Sequence, residues 1–429
     1  MTLLTVLFLQ AQTNGNNSSY SRFGIGTLND ATQNFSKGMG GIGLGIRAGN
    51  KLNMLNPASY SAIDSITFLM DVGMDVSMGQ MKNNSTSLNV TNTSLDHANI
   101  GFRLARGLGF SVGFVPYSTI GYSFSTENNV GSDFTTTQKI VSESSYNGEG
   151  GLHKVFAGAG WNPISHLSIG VNVGYVWGKY DHQLSQSFTE GGSSSSTYSG
   201  LNSTHLADIK TYSFDFGAQY SMLLDKENSL TIGATMGIGH KICNDATLTR
   251  YTSAGDSTVV KAADAFDLPF TFGLGATWEQ GTKWLAGVDI RHERWGNCRI
   301  PVMSTDNNIL TYTPQKGGYM NRTKIAMGAQ YIPNALTGKY FSRVAYRVGA
   351  NFSTPYLKVN GENGPMEYGL SAGFGLPITN NINKGTLVNL NLQWLRRQPS
   401  VSNMITENYF VINLGITFSE SWFMKFKIQ

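Results

Sequence analysis

The chain has 429 residues, among them 50 Gly, 23 Phe, 19 Tyr and 7 Trp, yet only 14% are charged. Soluble domains usually carry about 25% charged residues, so this composition speaks against an ordinary soluble fold. A formal net charge of +4, with no Lys/Arg cluster, excludes nucleic acid as a partner.

Thr2 to Leu9 is apolar and ends at Gln10-Ala11-Gln12, which reads as a secretory signal peptide over residues 1–11. The basic start of such a peptide is missing, which leaves a fortuitous apolar tip as the alternative. No Cys follows the cleavage site, so a lipoprotein anchor is not expected. Elsewhere no uninterrupted apolar run reaches about 18 residues, so no transmembrane helix is available. A membrane would then be crossed by a closed barrel.

Residues 12–64 are expected to form a periplasmic lead-in and a plug. Within them Ser21 to Asp64 is glycine-rich and lacks sustained alternation, so it is not a lipid-facing strand. Gly38-Met39-Gly40-Gly41-Ile42-Gly43 formally matches a dinucleotide fingerprint. It lacks the preceding strand, following helix and acidic partner that such a site needs, and glycine for tight packing in a confined lumen is the better account.

From residue 65 to 418 the dominant signal is period-two alternation, the mark of strands with two unlike faces. Ile66, Phe68, Met70, Val72, Met74, Val76 and Met78 alternate with small or acidic residues. The pattern returns in Leu167 to Trp177, in Tyr212 to Met222 and in later segments through Phe410 to Phe418, each near the ~10 residues a tilted transmembrane strand needs. Short links, such as Arg106-Gly107, Asn162 to His166 and Gln280 to Lys283, alternate with long polar stretches such as Gln80 to Ser94, Thr126 to Val141, Gln183 to Ser203 and Gly296 to Gly318. Outer-membrane barrels sort their connections this way, short on the periplasmic side and long outside. The expected fold is therefore all-β: a transmembrane antiparallel β-barrel of about fourteen strands behind an N-terminal plug, with both ends of the barrel in the periplasm.

Apolar-out strands predict two aromatic girdles. Trp161, Trp278 and Trp284 fall at the inferred periplasmic ends, and Trp177, Trp295 and Trp394 at the outer ends. The same phase turns Asp71, Asp75, Arg103, Asp215, Asp289, Arg291, Glu293, Arg322, Lys324, Arg343 and Arg347 toward the lumen. Charges of both signs there imply paired networks, since isolated ones would be costly. Glycines on that face, such as Gly109, Gly233 and Gly373, let another backbone approach closely, and the plug is the expected one. Cys243 and Cys298 fall near external strand ends; a bridge and two unpaired thiols both remain open.

Strand fourteen is expected to finish near Phe418, which leaves residues 419–429 as a periplasmic tail carrying Trp422, Phe423, Lys425 and Lys427, a candidate partner-binding strand. The alternative is that this segment is itself the closing strand. The seven histidines form no H-x-x-x-H pair, and there is no Walker loop or G-x-S-x-G elbow. His292 lies near Asp289 and Glu293, but a lone His at a strand end is more often a solvated group. No enzyme activity, cofactor or metal is expected.

Tyr20-Ser21-Arg22-Phe23-Gly24-Ile25-Gly26, then Gly38-Met39-Gly40-Gly41, then Leu55-Asn56-Pro57-Ala58-Ser59 running into the first strand, resembles the start of FadL/TodX-type outer-membrane transport proteins. The resemblance implies a fourteen-stranded barrel in a Gram-negative outer membrane, with a hatch anchored by Asn56, Pro57 and Ala58. It also implies passive uptake of hydrophobic small molecules, with a hydrophobic ligand or detergent in the lumen. The charged lumen and the aromatic-basic tail motivate the alternative, a non-transport barrel subunit of an outer-membrane secretion or assembly complex with other envelope proteins as partners.

Overall fold

The computed structural model describes residues 18–83, 87–132, 139–190, 199–307, 309–378, 386–401 and 404–421. The expected signal peptide and Trp422, Phe423, Lys425 and Lys427 lie outside them.

Fourteen antiparallel strands form the wall. They are β1 (Thr67–Lys82), β2 (Ser87–Ala105), β3 (Leu108–Ser132), β4 (Lys139–Ile164), β5 (Leu167–Glu190), β6 (Leu201–Leu223) and β7 (Asn228–Gly237), then β8 (Thr271–Gln280), β9 (Trp284–Glu293), β10 (Arg322–Tyr331), β11 (Ala345–Ser353), β12 (Met366–Pro377), β13 (Leu387–Gln398) and β14 (Thr406–Ser421). Each pairs with the next, and β14 returns to β1 in a register running from Thr67↔Ser421 to Lys82↔Thr406. Closure matters because an open edge in hydrocarbon would leave backbone groups unsatisfied at several kcal/mol each. The closing strand extends to Ser421, past the expected Phe418.

The alternation read from the sequence sets which face each side chain takes. On β5, Ile169, Val173 and Tyr175 are exposed on the outer face, while Ser168 and Asn172 are buried inside. Met74, Tyr212, Phe216, Val288, Met327, Val348 and Leu414 continue the apolar belt around the barrel.

Wall height is uneven. β3 to β6 have 25, 26, 24 and 23 residues, whereas β7 to β10 have 10 each. Crossing the hydrocarbon takes only about 9–11. Much of Gln80 to Ser94, Thr126 to Val141 and Gln183 to Ser203, expected as loops, is therefore strand that continues beyond the lipid. The alternation fades there because both faces of Ser/Thr/Asn-rich ribbon meet water, while the ladder continues regardless. Ala246–Thr252 and Ser257–Ala262 extend this outer wall from β6. The hairpin Ile300–Asp306/Ile309–Gln315 lies against the second of them.

Two expected positions are corrected. Trp295 is not in the outer girdle: the chain turns inward after Glu293 into a short 3-10 helix, and the indole is 1% exposed, donating to Glu293 at 2.6 Å. Arg343 is not on a strand face either; it ends a one-turn helix, Tyr340–Arg343, in the periplasmic link before β11. Cys243 is exposed and Cys298 buried, and both are free thiols.

Candidate functional site

The interior is occupied by the chain's own N-terminal segment. Residues 32–46 and 52–63 are largely buried and fill the periplasmic half. Phe35, Met39, Ile42 and Ile46 cluster with Leu285 and Ala326 of the wall. Leu52, Met54, Tyr60 and Ile63 cluster with Leu69, Val115 and Phe156.

Inner-face glycines make room for it. A Cβ at Gly109 would lie 1.8 Å from the Tyr60 carbonyl oxygen, one at Gly233 1.8 Å from that of Leu44, and one at Gly349 2.2 Å from the Gly40 nitrogen. Gly170 and Gly217 admit Pro57, and Gly373 faces Gly38. Gly40 and Gly41 themselves take positive φ, +70° and +87°, where a side chain would be strained.

Asn56 is the hinge of this packing. Its Oδ1 accepts from Ala58 N at 3.1 Å, capping the 3-10 helix Pro57–Ala62. Its Nδ2 donates to the carbonyls of Leu44 at 2.9 Å and of Ala218 on β6 at 3.1 Å. Pro57 and Ala58 follow as the first helical residues, with Pro at a position whose missing N–H costs nothing.

Charged contacts tie the segment to the wall at three places. Lys37 meets Asp75 at 2.5 Å and Asp96 at 2.7 Å; His97 bridges Asp96 and Asp71 at 2.6 and 2.9 Å, and Asn34 donates to Asp71 at 2.9 Å. Asp289 accepts from the backbone amides of Gly43 at 2.6 Å and Leu44 at 2.9 Å. Asp30 pairs with Lys324 and, at 3.5 Å, with Arg322, which also reaches Glu293 at 3.3 Å.

The segment then rises to the outer rim. Thr27–Leu28 pairs with Ser118 and Thr119 of β3. Ser18 Oγ donates to Glu407 at 2.9 Å; Glu407 is fully buried and also binds Arg397 at 3.2 Å. The stretch expected as a periplasmic lead-in is thus, over Ser18 to Leu28, in the outer half of the lumen. There Ile25 joins Tyr122, Tyr180, Phe266, Trp295, Tyr319 and Tyr356 in one apolar cluster. Burial there pushes the Tyr319 and Tyr356 hydroxyls well above the ordinary tyrosine range.

Of the remaining lumen charges, Asp215 pairs with Lys154 and Arg347 donates to Gln330 at 2.9 Å and Asn389 at 2.7 Å. Arg291 lines a small cavity with Lys154 and Asp215. Arg103 stays at the periplasmic rim, half-buried, its Nε donating to the Ala105 carbonyl at 3.0 Å. His292 is on the opposite face of β9 from Asp289 and Glu293, bonded to Thr323 at 2.9 Å. Asp96 and His97 escaped the sequence reading because a bulge between Gly73 and Met74 shifts the β2 register there. Two adjacent residues then both point inward, which no strict alternation foretells. Glu407, Arg397, Asp30 and Lys37 had no signal beyond their charge.

Cavities inside the described part of the lumen include two of about 210 and 160 Å³ and a smaller one of about 60 Å³ beside Tyr20, Tyr356 and Leu357. Lys37, Asp75, Asp96, Lys324 and Arg397 are among the residues around the first, and Lys154, Asp215, Arg291 and Glu293 around the second. Both are charged compartments suited to water. Among the described residues no three His, Cys, Asp or Glu side chains gather as a metal site.

A family model described as BamG matches residues 1–429. Comparison with curated proteins finds no match. Among solved structures the chain is similar to the CymD monoaromatic hydrocarbon channel, at 14% identity and TM-score 0.58, covering 92% of this chain and 98% of that one. It is similar to the Ralstonia pickettii toluene transporter TbuX at 15% identity and TM-score 0.59, covering 90% and 97%. A Pseudomonas aeruginosa FadL homologue matches at 11% identity and TM-score 0.60, covering 91% and 99%. At such identities the likeness is one of fold, and it is the FadL/TodX-type fourteen-stranded barrel.

Proposed function

The chain belongs to the BamG family and is a β-barrel of the Gram-negative outer membrane, and from that premise we propose that it is a plugged, non-conducting subunit of an outer-membrane protein assembly or secretion complex. One observation supports this reading: the chain's own N-terminal segment occupies the lumen. The N-terminal segment is held at Lys37–Asp75–Asp96, at Asp289 and at Glu407, and an aromatic cluster packs the outer half with it. A conduit for hydrophobic compounds needs a continuous apolar path, yet charged side chains stand among the residues around the two larger inner cavities. The tall ribbons β3 to β6 would then serve as an external surface for partners.

Passive uptake of hydrophobic small molecules is the second reading, favoured by the shared fold of structures described as toluene transporters and monoaromatic hydrocarbon channels. It requires the buried ion pairs to open during passage. Native membranes solubilised in mild detergent separate the two. The subunit reading expects stoichiometric co-purification with identified outer-membrane assembly proteins and no toluene or fatty-acid uptake by cells expressing the chain. A monomeric particle together with saturable uptake would replace it with the transport reading.

A further inference from the structure

Beyond the hydrocarbon the wall is not closed everywhere. The β2–β3 ladder ends at Ala98↔Phe114, although β3 runs on to Ser132 and stays paired with β4 over that length. On the side that β2 leaves, the chain covers β3 only briefly. Thr27–Leu28 pairs with Ser118 and Thr119, Asn29 N donates to the Tyr117 carbonyl at 3.0 Å, and the Ser21 hydroxyl bonds both backbone groups of Gly121. Over residues 122–129 no described strand pairs with that edge.

Elsewhere the chain covers its own edges. β6 outgrows β7, whose ladder with it ends at Asp215↔Gly237, and Ala246–Thr252 pairs with the upper end of β6. The opposite edge of this outer sheet, Ser257–Ala262, carries Lys261 and lies against the 300–315 hairpin. The β3 edge has neither device: residues 122–129 read Tyr-Ser-Phe-Ser-Thr-Glu-Asn-Asn, without Pro, Lys or Arg. Such an edge offers N–H and C=O groups at strand spacing, a pattern that another extended backbone matches.

The side chains along it narrow the choice. Tyr122 and Phe124 face inward with their rings 5.9 Å apart, and Tyr146 of β4 is 5.2 Å from Phe124. Ser123, Ser125 and Glu127 are exposed on the outer face. Glu127 stands directly opposite Glu143 of β4, also exposed. Their outer-face neighbours Ser125, Ser145 and Ser187 offer no cation to offset two like charges that repel across the ladder. A second copy of the chain is excluded by symmetry. Two identical edges join antiparallel only about a two-fold axis perpendicular to the sheet, which would turn one barrel upside down in the membrane.

We propose that a strand of another outer-membrane protein adds to β3 at residues 122–129, with apolar residues toward Tyr122 and Phe124 and a lysine or arginine beside Glu127. This inference rests on the subunit reading and names the contact that holds the subunit in its complex.

The complex purified from native membranes in mild detergent tests it. A benzoylphenylalanine photocrosslinker placed at Ser123 or at Ser125 is expected to mark two positions, two residues apart, on one segment of one partner. Placed at Ser185, two strands further in on the row of Ser125, it should mark nothing. E127K should lower retention of that partner about tenfold without lowering the melting temperature of the barrel, because it turns the Glu127–Glu143 repulsion into an attraction. Full retention by E127K, or crosslinking from Ser185 equal to that from Ser125, overturns the proposal and leaves the subunit reading standing. Absence of any co-purifying assembly protein overturns both.

Discussion

Lys37 of the N-terminal segment and Asp75 of the barrel wall meet at 2.5 Å, with Asp96 completing the contact from the bulge of β2 at 2.7 Å. Lys37 is buried and the two carboxylates are half-buried, so removing the cation leaves Asp75 and Asp96 facing each other uncompensated. Lys37→Met is expected to cost about 3–5 kcal/mol, felt mainly as detachment of the segment. The triple change K37M/D75N/D96N should recover much of that loss. Limited proteolysis between residues 18 and 64 reads both; equal protection in wild type and Lys37→Met would remove this contact as a tether.

Occupation of the lumen by the N-terminal segment predicts electrical silence. Full-length protein in planar bilayers should show no stable conductance, and a barrel lacking residues 18–64 should show discrete open steps. Steady conductance from the intact chain would contradict that prediction.

Gly233 and Gly338 form a matched pair for testing the inner wall. A Cβ at Gly233 would fall 1.8 Å from the Leu44 carbonyl oxygen, whereas nothing lies within 4 Å of one at Gly338. Gly233→Val should destabilise the plugged barrel by 3 kcal/mol or more, beyond the ~1–3 kcal/mol of ordinary overpacking, because backbone and not side chain must move. Gly338→Ala should leave the melting temperature within a degree or two. Similar melting of the two variants would refute close backbone contact.

Asn56→Ala removes a helix cap and two bonds that span the segment and the wall. A loss of about 1–2 kcal/mol follows from the cap alone. Amide hydrogen exchange at Ala58 and Ser59 should accelerate at least tenfold while the β6 ladder stays protected. Unchanged exchange at Ala58 would show that Asn56 does not hold this turn.

The two thiols should differ sharply. Burial, with Asp267 nearby, pushes the Cys298 thiol up to about 12, so almost no thiolate is present at neutral pH; Cys243 is exposed. At pH 7.5 a maleimide should label Cys243 within minutes and Cys298 only after unfolding. Raising the pH to 9 should leave Cys298 unlabelled, since that remains far below its titration. Rapid double labelling of the folded barrel would mean that the outer aromatic cluster is open.

The wall was legible in the sequence because lipid imposes a strict rule on each residue in turn. An outward position in β5 such as Ile169 or Val173 must be apolar, the next inward one is free to be Ser168 or Asn172, and the alternation needs no knowledge of neighbours. The inner glycines were readable for a related reason: a missing side chain signals that something else fills the space. Where the lipid ended the rule lapsed, so the polar continuations of β3 to β6 looked like loops, and Trp295 was assigned to a belt it never reaches.

What filled the barrel was decided by tertiary structure. Ion pairs such as Lys37–Asp75 and Asp30–Lys324 join residues 38 and 294 positions apart, and a single bulge turned both Asp96 and His97 inward. Such contacts depend on three-dimensional distance and on register, which one-dimensional periodicity does not encode. Sequence alone therefore determined that the chain is a barrel with a plug, through the local demand of a hydrocarbon solvent. Only the folded chain decided that the segment climbs to Glu407 in the outer half of the lumen, because buried charges had to find partners wherever the closed wall brought them.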